Sequence, residues 1–278
     1  MAGGLAALRG TVDDGGRICA GAAQYASIER TVSENTSRPD AGPASSARPL
    51  QLSGATPTAT PPAPHGSAGD PAVQKRCRKR LQLIEAARQA DVWRFVFIST
   101  CAVHEKILDD RPLDETHPTW ATSHYGAHKA AIEQFVHSYG FGEGFPICAL
   151  RPTGIYGLAH PVAQSRWYPL VQAVVRGESV ECHGGGKEVH ASDVAWAVEI
   201  LLTAEGVAGE VYNCYDRYIS QHEVASIAKR LSASHSEIRG APSTAKHQIV
   251  TQKLQRLGMT FGGRALLEYT IQQMLDAL

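Results

Sequence analysis

A chain of 278 residues with 27 basic and 27 acidic side chains has no formal net charge, which argues against nucleic acid or an acidic membrane surface as its main partner. Its six cysteines are scattered without a Cys-x-x-Cys pair, which argues against a structural zinc site and a disulfide framework and makes a reducing, cytoplasmic location the expectation. No apolar run of about eighteen residues occurs, so no membrane-spanning helix is expected, and the first residues do not read as a signal peptide.

Residues 1–71 are rich in Gly, Pro, Ala, Ser and Thr and poor in large apolar side chains. Such a segment buries too little surface to offset its ordering entropy, so it is expected to be mostly disordered, with a short helix near Met1–Arg9. The rival expectation is an N-terminal stretch unrelated to the rest, through rearrangement or a wrong start. From residue 72 the pattern becomes regular. Val73, Cys77, Leu81 and Ile84 share one helical face and predict a helix over 73–90. The basic run Lys75, Arg76, Arg78, Lys79 and Arg80 reads as its solvated face rather than a nucleic-acid contact. Trp93–Ser99, rich in aromatic and β-branched residues, predicts a buried strand.

A polar loop with Pro112 and Pro118 leads to a helix over 122–139, whose apolar spacing rests on Ala127, Ala131, Phe135 and Val136. Further on come a strand at Pro146–Arg151, a helix at Trp167–Arg176 closed by Gly177, and a short strand at Ser179–Cys182. A helix at Ser192–Ala204 is expected to be capped by Ser192 or Asp193. A strand at Gly209–Cys214 and helices at Ser220–Leu231 and Arg264–Leu278 complete the series. This alternation predicts an α/β fold with a parallel sheet covered by helices.

Tyr125-Gly-Ala-His-Lys129 puts a phenol and an ammonium one helical turn apart, with side-chain roots about 5–6 Å from each other. A neighbouring ammonium favours the phenolate, and such a tyrosine can exchange a proton with a hydroxyl or carbonyl. The spacing alone is common by chance, but it has companions. The strand before it ends in two hydroxyls, Ser99 and Thr100; Asp114 and Glu115 lie in the intervening loop; and Ala149-Leu-Arg-Pro-Thr-Gly-Ile-Tyr-Gly157 leaves a later strand through Pro152 and Gly154. Ligands of open α/β sheets sit at such carboxyl ends. His190 and Asp193 read as a helix cap with a buried histidine rather than a metal pair, so no metal site is expected. Gly184–Gly186 reads as a plain turn, and Asn213 and Arg217 are weaker candidates for facing a substrate.

The ordered series resembles extended short-chain dehydrogenases/reductases of the NAD-dependent epimerase/dehydratase type, over roughly residues 72–278. Gly184–Ala195 resembles that family's His-x-x-Asp-Val-Ala turn, and Lys253–Gly258 resembles its closing motif. Matching Ala102-Val103 to the family's strand end puts Thr100 at the catalytic Ser/Thr position, while His104-Glu105 stands where Tyr-Gly is usual. The resemblance implies Tyr125 as general acid/base, Lys129 supporting it and holding the nicotinamide ribose, and Thr100 bonding the reacting oxygen. It also implies that Ser99, Pro152, Thr153, Gly154 and Ile155 contact NAD or NADP together with Tyr125 and Lys129. The implied reaction is hydride transfer at a carbinol carbon of a small molecule such as a nucleotide sugar.

The implied fold is a partial Rossmann-type sheet with a small C-terminal substrate domain. Residues 72–160 would form the Rossmann-like part and 161–278 the substrate side with closing elements. Helices 73–90 and 122–139 would form a homodimer. The family's Gly-x-x-Gly-x-x-Gly turn, which receives the pyrophosphate, has no counterpart after an apolar strand, and residues 51–70 do not read as the strand expected before the first helix. Impaired cofactor binding is therefore expected. The alternative function is that of a truncated, catalytically impaired relative, acting as a binding protein or an inert remnant.

Overall fold

The computed structural model describes residues 71–278; the expectations for residues 1–70, including the helix near Met1 and the strand sought at 51–70, lie outside them. In chain order the elements are α1 Pro71–Gln89, β1 Phe95–Ile98, α2 His124–His137, β2 Ile147–Pro152, β3 Gly154–Tyr156, α3 Tyr168–Val175, β4 Val180–Glu181 and β5 Gly185–His190. They continue with α4 Ala191–Thr203, β6 Val211–Cys214, β7 Arg217–Ser220, α5 Gln221–Ser232, β8 Ile238–Arg239, α6 Gln252–Gln255 and α7 Gly263–Leu275. No helix among the described residues is long and apolar enough to cross a membrane.

The expected parallel sheet is present, in the order β1-β2-β6, with Phe95 opposite Ile147 and Ala149 opposite Val211. Every residue of β2 is buried, as a strand covered on both faces requires. Side chains alternate between the two faces. Ile147, Ala149 and Val211 meet Ile84 of α1 and Ile132 and Val136 of α2. Cys148, Leu150 and Tyr212 meet Ala197 and Leu201 of α4. Each fully buried Ile or Leu contributes roughly 1.5–3 kcal/mol.

The two α-helices that flank β1 differ in how well their buried faces were expected. In α1, Cys77, Leu81 and Ile84 do face the core, and Lys75, Arg78 and Lys79 are exposed. In α2 only Val136 of the expected stripe is buried: Ala127, Ala131 and Phe135 are exposed, and the buried face is His128, Lys129, Ile132, Glu133 and Val136. Two charged residues can turn inward because each finds a partner there. The helix starts at His124 because the Ser123 Oγ accepts the Gly126 amide as N-cap, and it ends in a π-turn over Ser138–Gly142.

A second sheet, β3-β5-β7, was not expected; β3 and β5 are parallel, and β5 and β7 antiparallel. Of the turn expected at Gly184–Gly186, Gly185 and Gly186 are instead the start of β5. A Cβ at Gly185 would lie 2.6 Å from the Tyr218 ring, and one at Gly186 would run into the Glu188 carboxylate, so close side chains require glycine in this strand. A third pair, β4 with β8, is parallel. The cap of α4 also differs from expectation: His190 occupies the N-cap and its Nδ1 accepts the Ser192 amide at 3.1 Å, while Asp193 accepts from the Gly262 amide at 3.0 Å. The helix α3 closes as expected at Gly177, whose φ of +75° only glycine adopts without strain. Helices α3, α5 and α7 enclose a separate apolar cluster with Tyr156, Trp167 and Ile219.

Candidate active site

The site is built where β1 stops. Its last residues lead into Ser99, Thr100 and a 3-10 turn over Cys101–His104, which Thr100 caps by accepting the Ala102 amide at 3.2 Å. The Ser99 Oγ is buried and has no hydrogen-bond partner among the described residues. Cys101 is buried and desolvation pushes its thiol up to about 12, which makes it a packing group rather than a nucleophile. The first turn of α2 lies directly on this 3-10 turn. A Cβ at Gly126 would stand 2.5 Å from the Ala102 carbonyl oxygen, so only glycine allows the approach.

That contact seats Tyr125 beside the turn that Thr100 caps. Tyr125 is 47% exposed, open to a ligand, whereas Lys129 is buried. The Lys129 Nζ donates to the Ile98 carbonyl at 2.6 Å and lies 5.8 Å from the centre of the Tyr125 ring. The structure therefore brings Tyr125 and Lys129 onto one helix face and ties both to the end of β1. The arrangement can move a proton through the phenol while a fixed ammonium stabilises negative charge on it.

The expected cofactor-side segment is not a loop. Pro152 ends β2, and Gly154 and Ile155 begin β3, with Thr153 between the strands. The Thr153 amide donates to the Cys214 carbonyl at 3.1 Å, while its Oγ1 is buried without a partner among the described residues. Two orphaned hydroxyls, Ser99 and Thr153, thus sit at the ends of neighbouring strands. Buried hydroxyls without partners suit a site that a polar ligand completes. With the Lys129 ammonium they fit the ribose and nicotinamide end of a dinucleotide.

Beside Gly154 lies a carboxylate that the sequence reading did not single out. Glu188 of β5 is buried and paired with Arg166, whose side chain is largely exposed. Burial pushes its carboxyl up to about 7, against the opposing pull of Arg166. The next residue but one, His190, is held at about 4 by burial.

A second network was also missed. Arg151 of β2 and Glu133 of α2 are both buried and joined at two points, with His104 as a third member through a 3.1 Å contact between Arg151 Nη1 and His104 Nε2. Burial, and then the Arg151 charge, lowers His104 to about 4. The ring is therefore neutral at pH 7, accepting from Arg151 at Nε2 and donating from Nδ1 to the Pro118 carbonyl at 3.3 Å. No local spacing signals this network, because His104, Glu133 and Arg151 lie on three elements distant in sequence.

Asn213 is buried; its backbone amide donates to Glu115 at 2.8 Å and its side-chain nitrogen to the Val250 carbonyl at 3.3 Å, while its Oδ1 has no hydrogen-bond partner among the described residues. Arg217 pairs with Glu223 at 2.8 Å and lines a groove of about 670 Å³ with Tyr215, Asp216, Tyr218 and Arg264. None of the expected cofactor or catalytic residues lines that groove.

Comparison with known proteins shows the family and the fold. The family model described as "NAD dependent epimerase/dehydratase family" matches residues 58–214. The chain belongs to the NAD-dependent epimerase/dehydratase family. Among its relatives, dTDP-D-glucose 4,6-dehydratase of Mus musculus is 31% identical over 153 residues, and that of Homo sapiens 32% identical over 155. In both cases the match takes in 54% of this family member and 42% of the relative, so the chain matches less than half the length of these proteins. Among solved structures, the Thermus thermophilus UDP-glucose 4-epimerase complex with NAD has a TM-score of 0.57 at 24% identity, covering 71% of this chain and 69% of that one. RMD from Pseudomonas aeruginosa complexed with NADPH has a TM-score of 0.61 at 19% identity, covering 74% and 73%. These likenesses are of fold, and they place the described residues with the α/β architecture of that family.

Proposed function

We propose that this chain binds NAD or NADP and carries out the epimerase/dehydratase chemistry of its family on a nucleotide sugar or a similar carbinol. The observation that carries the reading is the placement of Tyr125 and Lys129 on one helix face, with the Lys129 ammonium fixed on the Ile98 carbonyl beside the turn capped by Thr100. The relatives named as dTDP-glucose dehydratases and the UDP-glucose epimerase neighbour support the substrate class.

In this reading Tyr125 takes the proton from a substrate hydroxyl; in an epimerisation it returns a proton to that oxygen, and in a dehydration the oxygen stays as the keto group of the product. Lys129 stabilises the phenolate and holds the ribose. Thr100 Oγ1 already accepts from the Ala102 amide, which leaves its own proton to donate to the reacting oxygen. Ser99 and Thr153 offer their unpartnered hydroxyls to the cofactor, with Pro152, Gly154 and Ile155 shaping that side of the cleft. When bound, the nicotinamide supplies the hydride acceptor and donor. The test is incubation with UDP-glucose and with dTDP-glucose in the presence of NAD, followed by NMR of the sugar. Formation of an epimer or a 4-keto product that Tyr125→Phe abolishes supports the reading, and no product from either sugar counts against it.

One observation favours a second reading. The sequence has no Gly-x-x-Gly-x-x-Gly turn to receive a pyrophosphate, so the chain could keep the reacting end of the site and bind the dinucleotide weakly. Calorimetric titration with NADH separates the two. Micromolar affinity sinks the weak-binding reading; no heat with NADH, alongside binding of UDP-glucose, supports it.

The same proposal extends to a homodimer. The face of α2 that was expected to pack inward leaves Ala127, Ala131 and Phe135 exposed, and α1 exposes Leu83. Pairing of these helices across two chains would cover that apolar stripe. Sedimentation equilibrium should show a dimer that Phe135→Lys converts to monomer.

A further inference from the structure

Glu105 stands where the family usually has glycine, and its carboxylate collects hydrogen bonds from two consecutive residues seventeen and eighteen positions away. Oε2 accepts from the Thr122 amide, from the Thr122 hydroxyl at 2.9 Å and from the Ser123 amide at 2.6 Å; Oε1 accepts from the Ser123 hydroxyl at 2.6 Å. Ser123 is the N-cap of α2, and its Oγ in turn accepts the Gly126 amide at 3.1 Å. Tyr125 is two residues beyond that cap.

On its other side Glu105 closes the 3-10 turn that begins at Thr100. Its neighbour Lys106 donates its amide to the Trp120 carbonyl at 2.9 Å, so the two arms of the loop are joined just before the helix starts. One carboxylate therefore links the turn that carries Thr100 to the cap of the helix that carries Tyr125. Burial works against ionisation of Glu105, but the bonds from Ser123 and Thr122 outweigh it and hold the carboxyl below its ordinary value.

We propose that Glu105 is a positioning residue for Tyr125, fixing the N-terminal end of α2 against the Thr100 turn. This rests on the reading of Tyr125 as the acid/base. Four hydrogen bonds from two consecutive residues at the start of the helix fix this position through the reach of the side chain, which a neutral side chain of the same length keeps. Glu105 is itself exposed, so it adds little to the apolar core; what it sets is where the first turn of α2 lies. Proton transfer needs heavy atoms within about 2.6–3.2 Å, and a misplacement of about 1 Å can cost on the order of a hundredfold in rate.

Two substitutions separate position from charge. Glu105→Asp keeps the charge and shortens the reach by one methylene. Glu105→Gln removes the charge and keeps the reach, with an oxygen for the two amides and an NH2 to donate to the Ser123 Oγ. In the full chain, tyrosine labelled at the ring Cζ reports Tyr125 by NMR, its signal assigned by its loss in Tyr125→Phe. The expected result is that Glu105→Asp shifts the Tyr125 resonance and its ionisation midpoint, while Glu105→Gln leaves both close to those of the unmodified chain. A Gln variant as perturbed as the Asp variant, or an Asp variant indistinguishable from the unmodified chain, overturns the proposal. The measurement needs no substrate. A chain inactive on every sugar still gives the answer, and turnover that persists with an unmoved Tyr125 signal removes the role of Glu105 while leaving that of Tyr125.

Discussion

Arg151 and Glu133 form a buried two-point ion pair, Nε to Oε1 at 2.9 Å and Nη2 to Oε2 at 2.7 Å, that bolts the middle of the sheet to the helix carrying Tyr125 and Lys129. Both side chains are within 2% of full burial, so neither charge has water as an alternative partner. Removing one partner strands the other. Arg151→Ala or Glu133→Ala should each lower stability by about 3–5 kcal/mol, whereas the paired change Arg151→Met with Glu133→Leu should recover most of that loss. Urea denaturation of the three variants checks this, and equal losses for single and paired changes would count against it.

Tyr125 and Lys129 should differ in how far function is separable from stability. Tyr125 is 47% exposed and its hydroxyl makes no hydrogen bond among the described residues, so Tyr125→Phe should leave the melting temperature nearly unchanged while lowering any turnover by about 10²–10⁴-fold. Lys129 is buried and bonded to the Ile98 carbonyl, so Lys129→Ala should reduce both. Thermal melts beside a product assay distinguish the two patterns.

Gly126→Ala sets two effects against each other. Alanine is the better helix former by about 1 kcal/mol. Its Cβ, however, would lie 2.5 Å from the Ala102 carbonyl oxygen and 2.8 Å from the Ala121 Cβ, contacts that backbone and a short side chain cannot relieve cheaply. The contact should win, with a net loss of about 1–3 kcal/mol. A stabilised variant in denaturant melts would show that the helix does not rest on the turn.

Glu188 gives a pH dependence with a defined sign. Its folded-state carboxyl is pushed up to about 7, mainly by burial, so between the ordinary carboxylate range and pH 7 the folded chain binds more protons than the unfolded one. Its contribution is fully present below its unfolded value and is lost as pH rises through about 7. Stability measured from pH 4.5 upward should therefore carry a downward component that Glu188→Gln removes. Identical pH profiles for the two proteins would refute the assignment.

Much of the architecture was legible because it depends on local periods. Cys77, Leu81 and Ile84 repeat with the helix, and the runs that became β1, β2 and β6 are apolar enough to be covered on both faces. Two of the differences share one cause. Ala127, Ala131 and Phe135 read as an inward stripe from their apolar spacing, and the groups that turn Lys129 and Glu133 inward instead come from Ile98 and Arg151, distant in sequence. Gly185 and Gly186 read as a turn because the nearby Tyr218 and Glu188 side chains that call for glycine in a strand are visible only in three dimensions. The α4 cap falls to His190 for a local reason: its Nδ1 accepts the Ser192 amide, and Asp193 is drawn to the Gly262 amide instead.

By itself the sequence determined the alternation of strands and helices, the hydroxyls of Ser99 and Thr100 at a strand end, and the one-turn spacing of Tyr125 and Lys129. These follow from backbone geometry within a few residues. Only the tertiary structure decided that Lys129 is anchored on Ile98, that Glu133 is buried against Arg151, and that Glu105 holds the cap of the Tyr125 helix. A charged side chain turns inward, or holds a distant helix end, only when packing brings it a partner, and no local period encodes which partner that will be.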